Sequence, residues 1–126
     1  MISEAFQWTK QPVNPTIVVE GVNNTKVSLL WEYVLSQGES IASITVSRGR
    51  PDSAERETFA VQGSNPLRVT RFQNKYNVAP PLTVELLDLK NKEEYVYFID
   101  VVSSTGDTPS SQVRIIVNGK FRLILD

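Results

Sequence analysis

Apolar side chains in this sequence recur at every second position, in short segments separated by turn-forming residues. The segments are rich in β-branched and aromatic residues, and glycine, proline, asparagine and serine are concentrated between them, as expected for β-strands joined by turns. The predicted strands are FQWTK, TIVVE, KVSLLWEYV, IASITVSR, ETFAVQ, LRVTRF, PLTVELLDL, EEYVYFIDVV and SQVRIIV. No window of the sequence has the sustained periodicity of a capped helix. About nine antiparallel strands therefore predict an all-β sandwich.

The length of the chain indicates one domain. A chain of 126 residues is long enough to bury a single continuous core. We assign residues 1–118 to this domain. Residues 119–126, which include the apolar tail KFRLILD, are then a C-terminal extension or the start of a linker to a further domain.

The charge balance excludes partners that need a strong electrostatic field. The chain has 13 basic and 14 acidic residues, a net charge of -1, and no stripe of lysine or arginine. We therefore expect no nucleic-acid partner and no direct membrane contact, since both normally require a basic patch. The longest apolar runs are only a few residues, too short to span a bilayer.

The chain has no cysteine and no histidine, which further restricts the catalytic and metal-binding chemistry that it can perform. Without them the chain has no thiol nucleophile, no disulfide, no thiolate or imidazole metal ligand and no imidazole acid–base group. The serines lack an ordinary activating base, and the adjacent Glu93 and Glu94 would point to opposite sides of a strand. We expect a protein that is not an enzyme and has neither a cofactor nor a metal site.

Two aromatic segments, KVSLLWEYV and YVYFIDVV, carry the most specific pattern. Their alternating positions on one face are Val27, Leu29, Trp31, Tyr33, Tyr95, Tyr97, Ile99 and Val101. These segments resemble strands B and F of a variable-type immunoglobulin domain, where V-x-L-x-C-x-Y and D-x-A-x-Y-x-C hold the same spacing. The resemblance puts Trp31 and Tyr97 at the two cysteine positions, so an indole and a phenol would replace the inter-sheet disulfide by packing. It also makes Tyr95 the corner tyrosine, two residues before the second cysteine position.

The match with variable-type domains leaves two points open. Arg71 resembles the strand-D arginine that pairs with an aspartate at the E–F corner, but Asn91 replaces that aspartate. Either Asp88 or Glu93 substitutes for it, or the bridge is missing. The same aromatic pattern would also fit the core of another sandwich, such as a fibronectin-type or carbohydrate-binding module.

The segment WTKQPVNPTIVVEGVNNTKVSLLWEY is similar to the membrane-distal domains of the allorecognition receptors of colonial hydroids, which are cnidarian proteins. The resemblance extends over about residues 6–117. It implies an extracellular domain at the cell surface, a fragment of the ectodomain of a single-pass membrane protein. It further implies weak homophilic binding to the same domain on an opposing cell, with allele-level selectivity.

Strand parity predicts which side chains face outward on the G-F-C sheet, through which variable-type domains commonly pair. The expected partner-binding residues are Val96, Phe98, Asp100, Arg114, Ile116, Ser43, Thr45, Ser47 and, on a loop, Asp107. Polar side chains are usual on an exposed antiparallel face, so an outward Phe98 beside Val96 indicates an interface with a hydrophobic centre and a polar rim. The alternative is that strand C′ or a loop covers Phe98.

One N-glycosylation sequon, Asn23-Asn24-Thr25, lies in a predicted turn before strand B and makes Asn23 the candidate glycosylation site. Such a site fits an extracellular protein. The second candidate function is a carbohydrate-binding or other accessory module of a secreted protein. That function needs an aromatic platform for sugar stacking, and apart from Trp31 the only tryptophan is Trp8.

Overall fold

The computed structural model describes residues 6–19, 26–87, 89 and 94–118, and every regular element within these ranges is a β-strand. The strands are β1 (Gln7–Lys10), β2 (Thr16–Val19), β3 (Val27–Leu30), β4 (Glu32–Val34), β5 (Ile41–Gly49), β6 (Glu57–Gln62), β7 (Arg68–Val69), β8 (Tyr76–Ala79), β9 (Thr83–Leu86), β10 (Val96–Ser103) and β11 (Ser110–Asn118). The described residues contain no helix that is long and apolar enough to cross a membrane.

The strands form two layers. One layer is a six-stranded sheet in the order β2-β11-β10-β5-β6-β7, and the other combines the three-stranded sheet β3-β9-β8 with the two-stranded sheet β1-β4. In the larger sheet, β10 lies between β11 and β5 and is antiparallel to both. The predicted all-β sandwich without a disulfide is confirmed.

Alternating side chains from both layers fill the space between them. On β10 and β11 the inward positions are all buried: Tyr97, Ile99, Val101, Val113, Ile115 and Val117. The smaller layer contributes Leu29, Val84 and Leu86 to the same core. Because strand side chains alternate between faces, the residues between the inward positions of β10 and β11 project from the opposite side of the sheet. The predicted parity of these two strands is therefore confirmed.

The segment KVSLLWEYV is divided at Trp31, which belongs to neither β3 nor β4. β3 pairs with β9, whereas β4 pairs with β1. Between them, the backbone N–H of Trp31 donates to the carbonyl oxygen of Leu82 at 3.0 Å. Trp31 therefore marks the position where this segment exchanges one strand partner for another, which sequence alternation alone does not reveal.

The edge strand β2 corrects the prediction that all strands are antiparallel. It pairs in parallel with β11, with Ile17 opposite Ile116 and Val18 opposite Val117. Alternation indicates which residues share a face but carries no information about strand direction, so the sequence could not distinguish the two pairings.

A second prediction, that LRVTRF forms one strand, is also corrected. Only Arg68–Val69 of this segment is a strand, β7, and it extends the larger sheet beside β6. Phe72 lies outside any strand, with a φ of 57°. The strand beside β9 is instead β8, Tyr76–Ala79. The assignment of residues 119–126 as an extension stays a prediction, because they lie outside the described residues.

Candidate functional site

The outward side chains of β10, β11 and β5 form what we call the outer face of the larger sheet. The strand registers align them in four rungs, and each rung is a row of paired residues that runs across the strands. In order along β10, the rungs are Arg114 beside Val96 and Gly49; Gln112 beside Phe98 and Ser47; Ser110 beside Asp100 and Thr45; and Val102 beside Ser43. Ile116 continues the face beyond Arg114, next to Ile17 of β2.

Most of the predicted partner-binding residues are accessible on this face. Arg114 is exposed, and the half-buried members are Val96, Phe98, Asp100, Ile116, Ser43 and Thr45. Ser47 is an exception, because it is only 3% exposed and cannot contact a partner in this conformation. Its register with Phe98 is regular, so alternation gives the correct side of the sheet, but this part of the face is covered by the loop between β5 and β6.

The aromatic centre of the outer face is capped by Arg56, from the loop between β5 and β6. The guanidinium carbon of Arg56 lies 3.7 Å from the ring centroid of Phe98, within the range of a cation–π contact. Its Nη1 atom is 3.7 Å from Oδ2 of Asp100, and the two side chains are 50% and 48% exposed. Of the two ways in which Phe98 could be covered, a loop residue is thus the one observed.

Gly49 allows this loop to approach the sheet. A Cβ atom at Gly49 would lie 2.7 Å from the carbonyl oxygen of Glu55 and 3.5 Å from the ring of Phe98. The first distance is shorter than real Cβ contacts, so a larger residue would force the loop away. The position of Arg56, one residue after Glu55, therefore depends on the absence of a side chain on β5.

A shallow groove of about 360 Å³ borders the capped ring. Its lining residues are Gln11, Arg56, Phe98, Asp100, Ser110, Ser111 and Gln112. One cation, one carboxylate, two amides and two hydroxyls can form hydrogen bonds to a polar partner. The groove contains no pair of groups with the nucleophile–base chemistry of covalent catalysis.

Comparison with solved structures identifies the architecture. Murine CRIg superposes with a TM-score of 0.68 at 10% identity, covering 91% of this chain and 99% of that one. The first Ig-like domain of human CD48 gives 0.64 at 11% identity, covering 95% and 96%. The RIG-5 IG1 homodimer structure gives 0.66 at 8% identity, covering 91% and 99%. No family model matches the sequence, and no curated protein is significantly similar to it.

The fold is that of a variable-type immunoglobulin domain. In the nomenclature of that fold, β3 with β4 is strand B, β5 is strand C, β10 is strand F and β11 is strand G. The outer face is therefore the exposed side of the G-F-C sheet. These likenesses are to proteins of low sequence identity and show the fold alone.

Trp31 and Tyr97, which the sequence resemblance puts at the two cysteine positions, are both buried, at 0% and 1% exposure. The indole N–H of Trp31 donates to Ser111 Oγ on β11 at 2.9 Å, and that hydroxyl donates to Gln11 Oε1. Trp31 therefore does join the two layers, by a hydrogen bond as well as by packing.

Tyr97 connects the layers through other partners. Its hydroxyl lies 3.1 Å from the hydroxyl of Tyr76 on β8, and its ring packs against Phe59, Tyr76 and Tyr95. Trp31 and Tyr97 belong to the same core cluster but are not among the described ring pairs, so a direct contact between these two side chains stays a prediction. Burial raises the pKa of both Tyr97 and Tyr76, so both phenols are neutral at physiological pH.

A buried arginine adds a second link at this end of the core. Arg48 is 8% exposed, and its guanidinium lies 3.8 Å from the ring centroid of Phe72 and 4.5 Å from that of Tyr95. It donates to the Tyr76 hydroxyl at 2.8 Å and to Glu57 Oε1 at 3.2 Å. Its charge is thus balanced by a carboxylate and by aromatic faces, as a buried cation requires.

Three predictions about the E–F corner have different outcomes. Tyr95 contacts Arg48 and Tyr97 through its ring, and its role as a corner tyrosine stays a prediction. Arg71 forms its described ion pair with Glu57 at 3.8 Å. The proposed alternatives, at positions 88 and 93, lie outside the described residues, as does Asn23.

Asp107 lies in the turn between β10 and β11, at the end of the sandwich rather than on the outer face. Its backbone N–H donates to Ser103 Oγ at 3.1 Å, and its Oδ2 is 3.5 Å from the hydroxyl of Thr105. The Thr105 hydroxyl donates to Glu39 Oε2 at 2.8 Å. Asp107 therefore belongs to a polar cluster that joins two loops, and its role in partner binding stays a prediction.

Sequence reasoning missed three accessible members of this surface: Arg56, Val102 and Ile17. Val102 is 41% exposed and follows the inward Val101, so strand parity could have identified it. Ile17 is 62% exposed on β2, whose pairing with β11 the sequence did not give. No sequence signal places Arg56 over Phe98, because this contact depends on the loop between β5 and β6.

Proposed function

We propose that this chain is the extracellular recognition domain of a cell-surface receptor, which binds a second copy of itself through the outer face of its G-F-C sheet. In this proposal the receptor is a single-pass membrane protein, and the domain has no catalytic role. The binding discriminates self from non-self, as in the allorecognition receptors that the sequence resembles.

The observation that carries the proposal is the composition of the outer face. Apolar side chains are accessible at Ile17, Ile116 and Val102, on either side of the capped Phe98, and charges lie between them. A surface that combines accessible apolar side chains with charges that a partner can complement is typical of protein interfaces. The RIG-5 IG1 structure, a homodimer of an immunoglobulin domain, supports self-association as a use of this fold.

A self-contact of this size is weak in solution and effective between cells. We expect a dissociation constant between about 1 µM and 1 mM. An isologous contact uses each residue twice, and many copies meet at once between two surfaces, so that avidity strengthens the total binding.

The test uses beads densely coated with the domain through a C-terminal tag. Wild-type beads should clump, and beads with Phe98→Asp should not, because the substitution replaces the aromatic ring at the centre of the contact by a charged carboxylate that costs free energy to desolvate. Val34→Asp is the matched control, since Val34 is 51% exposed on β4 of the other layer. If Phe98→Asp beads clump as strongly as Val34→Asp beads, the contact lies on another surface.

A glycan array with the same protein tests the second candidate function. Trp8 is half-buried, its indole N–H donates to the carbonyl oxygen of Ser110 at 3.1 Å, and its ring packs edge-on against Phe6 at 4.9 Å. Trp8 is thus used within the domain, which argues against a sugar platform. Specific glycan binding that a Trp8→Ala variant loses would favour the carbohydrate-binding module instead.

A further inference from the structure

On the outer face, charged and apolar side chains occupy equivalent positions on the two sides of Phe98, but the charges on the two sides have opposite signs. On one side of Phe98 lies Arg114, followed by Ile116, and on the other side lies Asp100, followed by Val102. Successive rungs are about 7 Å apart, because they are two residues apart along a strand. A cation and an apolar side chain on one side are thus matched by an anion and an apolar side chain on the other.

Two copies of this face can meet in two simple orientations. With a two-fold axis along the strands, each rung faces the same rung of the second copy. Arg114 then lies level with Arg114 of the second copy, and Asp100 with Asp100. With a two-fold axis across the strands, the order is inverted. Arg114 of one copy then faces the rung of Asp100 in the second copy, and Ile116 faces the rung of Val102.

We propose that two copies of the domain bind face to face with their G-F-C strands antiparallel, and that Arg114 and Asp100 select this orientation. The inference rests on the proposed function, self-binding through the outer face. The inverted arrangement brings opposite charges to the same level twice and apolar side chains together twice, whereas the other arrangement opposes like charges. Two receptors anchored through the same end on opposing cells point in opposite directions, so the antiparallel pair joins two cells.

The charges needed for this contact are accessible in the single domain. Among the described residues, Arg114 has no salt-bridge partner. Asp100 is paired with Arg56, but both side chains are about half exposed, and such pairs are weak and screened by salt. Arg114 of a second copy can therefore compete for the Asp100 carboxylate when Arg56 turns aside.

The test reverses the polarity of the face. The charge-reversed variant carries Arg114→Asp and Asp100→Arg together, and wild-type and variant domains are coupled to beads of two colours. In the inverted contact each kind is complementary to itself, while the mixed pair opposes arginine to arginine and aspartate to aspartate. We expect each colour to clump alone, and mixed contacts to be about tenfold rarer than single-colour contacts in dilute salt. The sorting should disappear in about 1 M salt, where charges are screened within about 3 Å.

Each other result has a definite meaning. A preference for mixed-colour clumps would show that each rung faces the same rung of the second copy, and random mixing would show that these charges do not select the orientation. Both overturn this inference while the proposed function stands. Failure of wild-type beads to clump at all would overturn the proposed function and this inference with it. Circular dichroism confirms folding, and Arg114→Glu with Asp100→Lys repeats the reversal if the first variant does not fold.

Discussion

Trp31 is the residue that the sequence resemblance puts at a position of the inter-sheet disulfide. Its ring is fully buried, and its indole N–H reaches across the core to Ser111 on β11. Its backbone meanwhile bonds Leu82, beside β9, at the point where strand B changes partners. One side chain therefore supports packing, an inter-sheet hydrogen bond and a strand transition.

Trp31→Ala should lower the free energy of unfolding by about 3–5 kcal/mol, because it leaves a cavity and removes the indole donor from a buried hydroxyl. Urea denaturation followed by circular dichroism measures this loss. Trp8→Ala is the matched control and should cost less, since Trp8 is only half-buried. A loss below about 1 kcal/mol for Trp31→Ala would show that the core does not depend on this side chain.

The hydrogen bonds of Glu39 predict how the stability of the domain changes in acid. The backbone N–H of Ser36 donates to its carboxylate at 3.0 Å, and the Thr105 hydroxyl donates at 2.8 Å. The Ser36 bond is the largest cause of a shift that lowers the pKa of Glu39 from 4.5 to about 2, although burial opposes it. Because the folded-state pKa is the lower one, ionised Glu39 stabilises the domain above about pH 4.5. That contribution is lost as the pH falls towards 2.

The measurement is the thermal midpoint between pH 7 and pH 2 for wild type and Glu39→Gln. The variant should be less stable at neutral pH, and the difference should shrink as the pH falls below about 4.5. Glu32→Gln, at an exposed position of β4, serves as the control and should follow wild type. A constant difference across the whole range would contradict the assignment to Glu39.

At the scale of elements, the approach of the β5–β6 loop to β10 decides what the outer face presents. Gly49→Ala should destabilise the domain by about 1–3 kcal/mol, because its Cβ would collide with the backbone of Glu55. Gly63→Ala is the control, since a Cβ there meets no atom within 4 Å. Thermal denaturation of both variants is the measurement, and equal midpoints would show that the loop yields without cost.

Much of this architecture follows from the sequence, for a physical reason. Along β10 and β11 successive side chains alternate between the two faces of the sheet, so the six buried positions and their outward neighbours were predictable. β8 was missed because Tyr76–Ala79 contains one β-branched residue and an asparagine, and it is a strand only through its pairing with β9. The cap on Phe98 was not predictable, because it depends on how closely two distant backbone segments approach.

For the whole molecule, we expect Arg56 to weaken self-association, because it covers Phe98 and pairs with Asp100. Arg56→Ala should strengthen self-association by up to about tenfold, because it uncovers the Phe98 ring and frees Asp100 for a second copy. Sedimentation equilibrium at high protein concentration measures this change. Arg71→Ala removes an arginine that also contacts an aromatic ring, Phe72, and should leave association unchanged. Weaker association of Arg56→Ala would mean that Arg56 itself contacts the partner.

Self-association should also be insensitive to pH between about 5.5 and 8. The chain has no histidine or cysteine, the side chains whose ordinary titration ranges overlap this interval. Sedimentation across this range tests the expectation. A tenfold change in affinity with the fold intact would indicate a carboxylate with a strongly raised pKa at the contact.

The parallel pairing of β2 with β11 has a mechanical consequence. The first residue of β2, Thr16, lies beside Ile115, and Val19 lies beside Asn118 near the end of β11. If the domain were pulled at its two termini, these strands would be drawn past each other along their length. All the hydrogen bonds between them would then share the load in shear, instead of opening one after another as in a zipper. If the domain joins two cells as proposed, this arrangement resists extension without any covalent bond between the layers.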